Sequence, residues 1–225
     1  MTTARIRSLL PACVLAAAAF TPGASAIVVG TVDDFQGVPP GAQPTFSWNG
    51  ASPEIVAANG PAGASDKFLR FTSTGTGTSG SHLAIKNDDL RWVGDFQGAG
   101  VTAIRADLRN FSSQALSMRI VLFGLGARFT SSLPVSIAPN QGWTSVTFPL
   151  SLSDVKLVYG NQSYQTVITN CNQIMIRHDV DPASSGGTAI AASLGIDNIR
   201  AIPAPGAGAV IGAGVMFMGR RRRRV

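Results

Sequence analysis

The stretch from residue 104 to residue 122 reads IRADLRNFSSQALSMRIVL and contains two runs in which apolar residues recur at every second position. The apolar members of the first run are Ile104, Ala106 and Leu108. Those of the second run are Leu116, Met118, Ile120 and Leu122. A period of two places alternate side chains on one face of a β-strand. The stretch therefore predicts two neighbouring strands, each with an apolar face.

Similar short runs recur between residues 27 and 202. Their apolar positions include Leu69, Phe71, Val146, Phe148, Ile174, Ile176, Leu194 and Ile196. Turn residues separate the runs, as in Asn49-Gly50 and in residues 139–142 and 184–187. Because no run shows the 3.6-residue period of a long amphipathic helix, the pattern predicts an all-β fold. An antiparallel β-sandwich with a jelly-roll topology fits many short strands of this spacing.

The formal net charge of +6 belongs to the ends of the chain. Seven of the 18 basic residues are arginines in the terminal segments, which leaves 11 basic residues against 12 acidic ones. The middle of the chain is therefore close to neutral, which excludes a basic nucleic-acid-binding domain. We expect no nucleic-acid partner.

The first 26 residues have the three parts of a secretory signal peptide. Arg5 and Arg7 are positive, residues 9–20 are apolar and rich in alanine, and Ala24 and Ala26 are small residues at the cleavage position. The apolar part is shorter than the about 20 residues of a membrane helix. We therefore expect a signal helix that is cleaved after Ala26, with the Sec translocon and signal peptidase as partners.

Residues 203–225 form a second tripartite segment. A proline motif comes first, then an apolar run over residues 207–218 that predicts a short hydrophobic helix, and then an arginine cluster. The motif is Pro203, Ala204, Pro205 and Gly206, and the cluster is Arg220, Arg221, Arg222, Arg223 and Arg224. Arginines that follow an apolar segment stay in the cytoplasm, so the main domain would lie outside.

This tail resembles the PEP-CTERM sorting signal of Gram-negative bacteria, although Ala204 replaces the usual Glu between the prolines. The resemblance implies an exosortase-type membrane peptidase that cuts near the motif after transient anchoring in the inner membrane. The product would be a protein of the outer surface or of the extracellular matrix. An uncut tail would instead keep the chain in the membrane.

The middle domain, residues 27–202, resembles the jelly-roll, galactose-binding-like domains of bacterial carbohydrate-binding modules. The segments that carry the resemblance are Val32-Asp33-Asp34-Phe35, residues 142–150 and Gly195-Ile196-Asp197-Asn198-Ile199. It implies that the first and last strands lie near one another and that a structural Ca²⁺ is bound near them. Asp34 and Asp197 are the candidate ligands, since Ca²⁺ prefers oxygen.

Residues with catalytic chemistry are few. Cys171 is the only cysteine after the signal segment and is expected to be a buried small hydrophobe. His82 and His178 have no zinc-binding spacing, and we expect His178 to be an exposed strand-end residue. The carboxylate pairs are adjacent or nearly adjacent in sequence, and neighbours on a strand point to opposite faces. We therefore expect no catalytic residue.

Sugar binding commonly uses aromatic side chains as stacking platforms. Trp48 and Trp92 stand near turns and are the predicted platforms, whereas Trp143 has apolar neighbours and is predicted to lie in the core. The sequence thus favours a non-catalytic structural or adhesive protein of the envelope or exopolysaccharide matrix. The alternatives are a carbohydrate-binding module and, third, a polysaccharide hydrolase.

Overall fold

The structure is a computed structural model that describes residues 26–40, 48–77 and 80–203. This part of the chain folds into two antiparallel sheets that form a β-sandwich, as predicted. Within these ranges, no helix is long and apolar enough to cross a membrane. The predicted signal helix and sorting tail lie outside the described residues, apart from Ala26 and Pro203 at the boundaries.

Sheet A has six strands in the described ranges. They are β1 (Val32–Asp33), β3 (Glu54–Val56), β4 (Phe68–Thr74), β6 (Val101–Asn110), β10 (Thr144–Pro149) and β13 (Ala191–Pro203). Their spatial order is β10-β6-β13-β4-β3, with β1 paired to β13. The first and last strands are therefore hydrogen-bonded neighbours, as the resemblance implied.

Sheet B has seven described strands. They are β2 (Asn49–Gly50), β5 (Ala84–Asn87), β7 (Leu116–Gly124), β8 (Ala127–Ser131), β9 (Val135–Ile137), β11 (Val155–Tyr159) and β12 (Gln173–His178). Their order is β11-β8-β7-β12-β5-β2, with β9 paired to β7. A short helix, α1 (Tyr164–Thr169), lies between β11 and β12 and is capped by Ser163.

The core lies between the two sheets and contains the apolar residues of the predicted runs. Ile104, Leu108 and Ile120 are among its fully buried members. Because side chains alternate along a strand, the residues between them belong to the outer faces. Cys171 is buried, as predicted, and burial raises the pKa of its thiol to about 12.

Candidate functional site

The register of sheet B places its outward-pointing side chains in rows that cross several strands. The first row runs over β5, β12, β7, β8 and β11. Its members are Lys86, Met175, Val121, Thr130 and Lys156. Val121 and Thr130 are fully buried, whereas the three long side chains are half-buried. With strands about 4.8 Å apart, the row spans about 19 Å.

The second row carries two aromatic rings and a guanidinium group between them. It consists of Gln173, Phe123, Arg128 and Tyr159 on β12, β7, β8 and β11. The Arg128 guanidinium carbon lies 5.0 Å from the Phe123 ring centre and 4.9 Å from the Tyr159 ring centre. These are cation–π distances. Tyr159 is 55% exposed, so one ring remains available to a ligand.

The charged residues of the two sheets differ in sign. In the part of the chain that the structure describes, the strands of sheet B contain five basic residues and no Asp or Glu. The basic residues are Lys86, Arg119, Arg128, Lys156 and Arg177. The described strands of sheet A contain four basic and four acidic residues. The outer face of sheet B is therefore positively charged although the domain as a whole is close to neutral.

A loop over residues 179–188 packs against one end of this face and is held by two buried arginines. Arg119 forms an ion pair with Asp181, and Arg177 lies 3.1 Å from Asp179. Asp179 also accepts hydrogen bonds from the backbone N–H and the hydroxyl of Ser184. Burial lowers the pKa of Arg177, and Asp179 opposes that shift. The two carboxylates offset the charge of Arg119 and Arg177.

The same loop also reaches Arg128, whose Nη1 donates to the Ser185 carbonyl at 3.2 Å. Arg177 donates to that carbonyl as well, at 3.0 Å. The loop therefore forms one wall beside the aromatic row. Arg128 and Tyr159 line a small cleft of about 180 Å³ together with Asn172 and Gly126.

The prediction that Trp48 and Trp92 are stacking platforms is wrong. Both side chains have no exposed surface. Their ring centres lie 5.7 Å apart, and both indole N–H groups donate to Oδ2 of Asp33 at 2.7 Å. A buried tryptophan needs an acceptor for its N–H, and Asp33 provides one acceptor for both rings. The sequence analysis predicted exposure because both tryptophans stand near turns. Their common acceptor, Asp33, lies too far away in the chain to be recognised from those neighbours.

Trp143 was predicted to lie in the core, but it stands half-exposed on the outer face of sheet A. It packs edge-on against Phe68, with ring centres 5.0 Å apart, and Phe68 stacks on Phe111. Gly195 lies beneath these rings, since a Cβ there would come within 2.9 Å of both Trp143 and Phe111. A cleft of about 390 Å³ beside this cluster is lined by Arg70 and Arg109, among others. Arg70 is paired with Glu54.

Asp34 and Asp197, the candidate calcium ligands, lie in one region of the outer face of sheet A. Asp197 is 1% exposed, and its Oδ2 has no hydrogen-bond partner among the described residues. Burial raises the pKa of Asp197 to about 8, and the charges of Asp66, Asp34 and Asp107 act in the same direction. A buried carboxylate oxygen without a partner fits a cation ligand. The described residues contain no group of three or more His, Cys, Asp or Glu arranged to hold a metal.

His178 ends β12 as predicted, but it is buried rather than exposed. Its Nδ1 accepts a hydrogen bond from the backbone N–H of Ser117 at 3.0 Å, and burial lowers its pKa. The ring is therefore neutral, with its proton on Nε2. A neutral, hydrogen-bonded histidine at this position supports the strand end. Its burial was not predictable from the neighbouring residues, which form a turn.

Comparisons with known proteins found similar folds among solved structures, while no family model and no curated protein matches the chain. An exo-beta-agarase is 16% identical, with a TM-score of 0.53 over 79% of this chain and 25% of that one. A family 11 carbohydrate-binding module from Clostridium thermocellum, solved with a beta-1,3-1,4-mixed-linked tetrasaccharide, is 17% identical with a TM-score of 0.49. That match covers 79% of this chain and 98% of the module.

A carbohydrate-binding module specific for non-crystalline cellulose, CBM28, is 16% identical with a TM-score of 0.45 and covers 78% of this chain and 97% of that one. The likeness to the agarase is one of fold, and the chain spans about a quarter of that protein's length. The likeness to the agarase agrees with the predicted sandwich fold.

The residues of this candidate site that the sequence analysis did not identify are those of the second row. Phe123 and Tyr159 lie 36 positions apart in the chain, and only the pairing of β7, β8 and β11 brings them to the same guanidinium. The sequence does contain one indication of this face, which is the composition of its strands. The described strands of sheet B contain basic residues and no Asp or Glu. Basic residues at the outward positions of the alternating runs would have identified a positively charged sheet face.

Proposed function

We propose that the protein binds polysaccharide, without catalysing a reaction on it, through the outer face of sheet B. The observation that carries the proposal is the row in which Arg128 lies between Phe123 and an exposed Tyr159. A flat ring and a planar guanidinium group offer an apolar surface and several hydrogen-bond donors side by side. Sugar rings present the complementary combination of C–H faces and hydroxyl groups.

The surroundings of this row support binding rather than chemistry. Glycoside hydrolysis uses two carboxyl groups about 5–10 Å apart that flank the bond. Two carboxylates of the loop that borders this face, Asp179 and Asp181, are held in ion pairs with Arg177 and Arg119. The amide of Gln173 and the side chain of Asn172 add neutral hydrogen-bonding groups.

A polysaccharide-binding domain also accounts for the expected biology of the whole chain. We propose that the chain is exported by its signal peptide and sorted to the outer surface or matrix by its PEP-CTERM-like tail. There, attachment to exopolysaccharide would give the structural or adhesive role that the sequence favours. The two terminal segments would then determine location, and sheet B would determine the ligand.

Affinity electrophoresis of the purified protein in gels that contain soluble polysaccharides tests the binding proposal. We expect retarded migration in at least one gel, and a loss of that retardation in Tyr159→Ala. Phe111→Ala, which removes an exposed aromatic ring from sheet A, is the matched control and should migrate like the unchanged protein. Retardation that persists in Tyr159→Ala and disappears in Phe111→Ala would place the site on the wrong sheet.

We also propose that Asp197 and Asp34 hold a structural Ca²⁺. The ion would supply a positive charge to the unpartnered oxygen of Asp197 and would link the first strand to the last. Calcium takes six to eight oxygen ligands, including backbone carbonyls and water, so such oxygens would have to complete the coordination beside the two carboxylates. A calcium titration followed by thermal melting should raise the Tm of the unchanged protein but not that of Asp197→Asn. An unchanged Tm in both would contradict the proposal.

A further inference from the structure

The distribution of charge on sheet B indicates which class of polysaccharide the face would take. Of its five basic residues, Arg119 and Arg177 are buried and paired with Asp181 and Asp179. The other three are Lys86, Arg128 and Lys156. Among the described residues, no ion pair joins any of these three to a carboxylate. Their positive charge is therefore available to a ligand.

The three cations lie along the direction in which an extended chain would cross the sheet. Lys86 is on β5 and Lys156 is on β11, at the two ends of the first row, and Arg128 stands in the adjoining row. The row spans about 19 Å. A small anion would contact one of these groups, whereas a polymer with repeated negative charges would contact all three.

Two further acidic residues stand at the ends of strands of sheet B. Asp88 follows the end of β5 and is exposed, and Asp154 precedes β11, where its side chain accepts a hydrogen bond from Ser151. Neither lies within a strand of sheet B. In the described strands of sheet B, no acidic residue therefore stands among Lys86, Arg128 and Lys156.

We propose that the ligand of this face is an anionic polysaccharide, one that carries carboxylate or sulfate groups along its length. The inference rests on the proposed function and adds the charge of the ligand to it. The aromatic row would contact the sugar rings, and Lys86, Arg128 and Lys156 would contact the anionic groups. Repeated contacts of this kind supply both affinity and a dependence on ionic strength.

A nucleic acid is the other polymer with repeated negative charge, and two observations disfavour it. Proteins that bind single strands stack successive bases on several aromatic side chains, whereas Tyr159 is the one described ring of this row that is more than half exposed. A nucleic-acid-binding domain is also expected to be basic overall. The chain without its terminal arginines has 11 basic and 12 acidic residues.

The test compares polygalacturonate with its fully methyl-esterified form, which has the same backbone without the charge. Binding to both is measured by isothermal titration at about 50 mM and about 500 mM salt, since the Debye length falls severalfold over this range. We expect the purified protein to bind the charged polymer at least about tenfold more tightly at low salt, and to lose most of that preference at high salt.

The matched variants change the net charge equally on opposite sheets. Lys86→Gln/Lys156→Gln removes two cations from sheet B and should weaken binding to polygalacturonate about tenfold. Arg105→Gln/Arg200→Gln removes two exposed cations from sheet A and should leave it unchanged. Because all four side chains are at least partly exposed, both double variants should keep the fold. The salt dependence of binding by the unchanged protein provides a separate test that needs no variant.

The outcomes separate the inference from the proposed function. Equal, salt-independent binding to the charged and esterified polymers would overturn the inference and leave the binding function intact. A failure to bind either these polymers or any neutral glycan would overturn both. Single-stranded DNA bound as tightly as polygalacturonate would show recognition of charge alone and would overturn the inference. An equal loss of affinity in the two double variants would do the same.

Discussion

Arg128 and Tyr159 stand on adjacent strands of sheet B, with the guanidinium carbon 4.9 Å from the centre of the phenol ring. Phe123 lies on the opposite side of the same guanidinium group. The stack orders a long, flexible side chain on an exposed surface before any ligand arrives. A ligand that binds there would lose less conformational entropy from the protein than one that had to order Arg128 itself.

The stack predicts different effects for two substitutions of Tyr159. Tyr159→Phe keeps the ring and should retain polysaccharide affinity within about threefold. Tyr159→Leu removes the flat surface and frees Arg128, and should weaken affinity by about tenfold or more. Isothermal titration with the best-bound polysaccharide measures both. Equal affinities for the two variants would show that the ring is not used.

The buried carboxylate of Asp33 predicts a large effect on stability. Asp33→Ala leaves two indole N–H groups, those of Trp48 and Trp92, without their acceptor. Each buried unsatisfied donor costs about 1–3 kcal/mol, so the two together should lower the free energy of unfolding by about 2–6 kcal/mol in urea denaturation. The neighbouring Asp34 is exposed, and Asp34→Ala in the presence of chelator should change it by less than about 0.5 kcal/mol. Similar losses in both variants would contradict this account.

The loop that borders the aromatic row should depend on Asp179. Its partners Arg119 and Arg177 have side chains that are 0% and 2% exposed, and removing one partner of a buried ion pair costs about 3–5 kcal/mol. Asp179→Ala should therefore destabilise the fold by that amount. The carboxylate of Asp181 is 64% exposed, so Asp181→Ala should cost less than about 1 kcal/mol. The reverse order of the two variants in urea denaturation would refute the assignment.

Asp197 predicts how stability changes with pH in the presence of chelator. Its pKa is raised from 3.8 to about 8 in the folded protein, so folding favours the protonated acid. The stabilisation is complete below about pH 4 and is lost as the pH rises through 8. Asp197→Asn cannot ionise, and its stability relative to the unchanged protein should rise over this range by on the order of 5–6 kcal/mol.

Urea denaturation at several pH values measures this difference, with the exposed Asp88→Asn as control. A constant difference between Asp197→Asn and the unchanged protein from pH 4 to pH 8 would contradict the shift. Saturating calcium should abolish the pH dependence of the unchanged protein if the ion holds the carboxylate, since the group then stays ionised.

The sheets were predictable because apolar residues at every second position of a strand are the ones whose side chains are buried. Ile104 and Leu108 on β6 and Met118 and Ile120 on β7 occupy the core positions that a period of two assigns to them. Aromatic exposure was not predictable in the same way. The burial of Trp48 depends on the carboxylate of Asp33, which lies 15 residues away in the chain and accepts its indole N–H. Trp143 lies outside the core because its side chain points to the outer face of sheet A, where it packs over Gly195.

The candidate site escaped prediction for a related reason. Its residues come from two pairs of strands, β7 with β8 and β11 with β12, that are separated in the chain. Strand pairing, and not sequence spacing, brings the two pairs together. The charge of Lys86 or Lys156 has no evident meaning in its own run. The two charges become part of one positively charged face only because β5 and β11 belong to the same sheet. No described strand between them contains an acidic residue.

NMR mapping of the bound polysaccharide tests the central claim most directly, because it locates the ligand without any substitution. Oligosaccharides of the best-bound polymer are titrated into the isotope-labelled protein, and backbone amide shifts are followed. We predict that the largest shifts cluster on sheet B at Phe123, Arg128, Tyr159 and Gln173. Shifts that cluster instead on sheet A, around Phe111 and Trp143, would contradict the account.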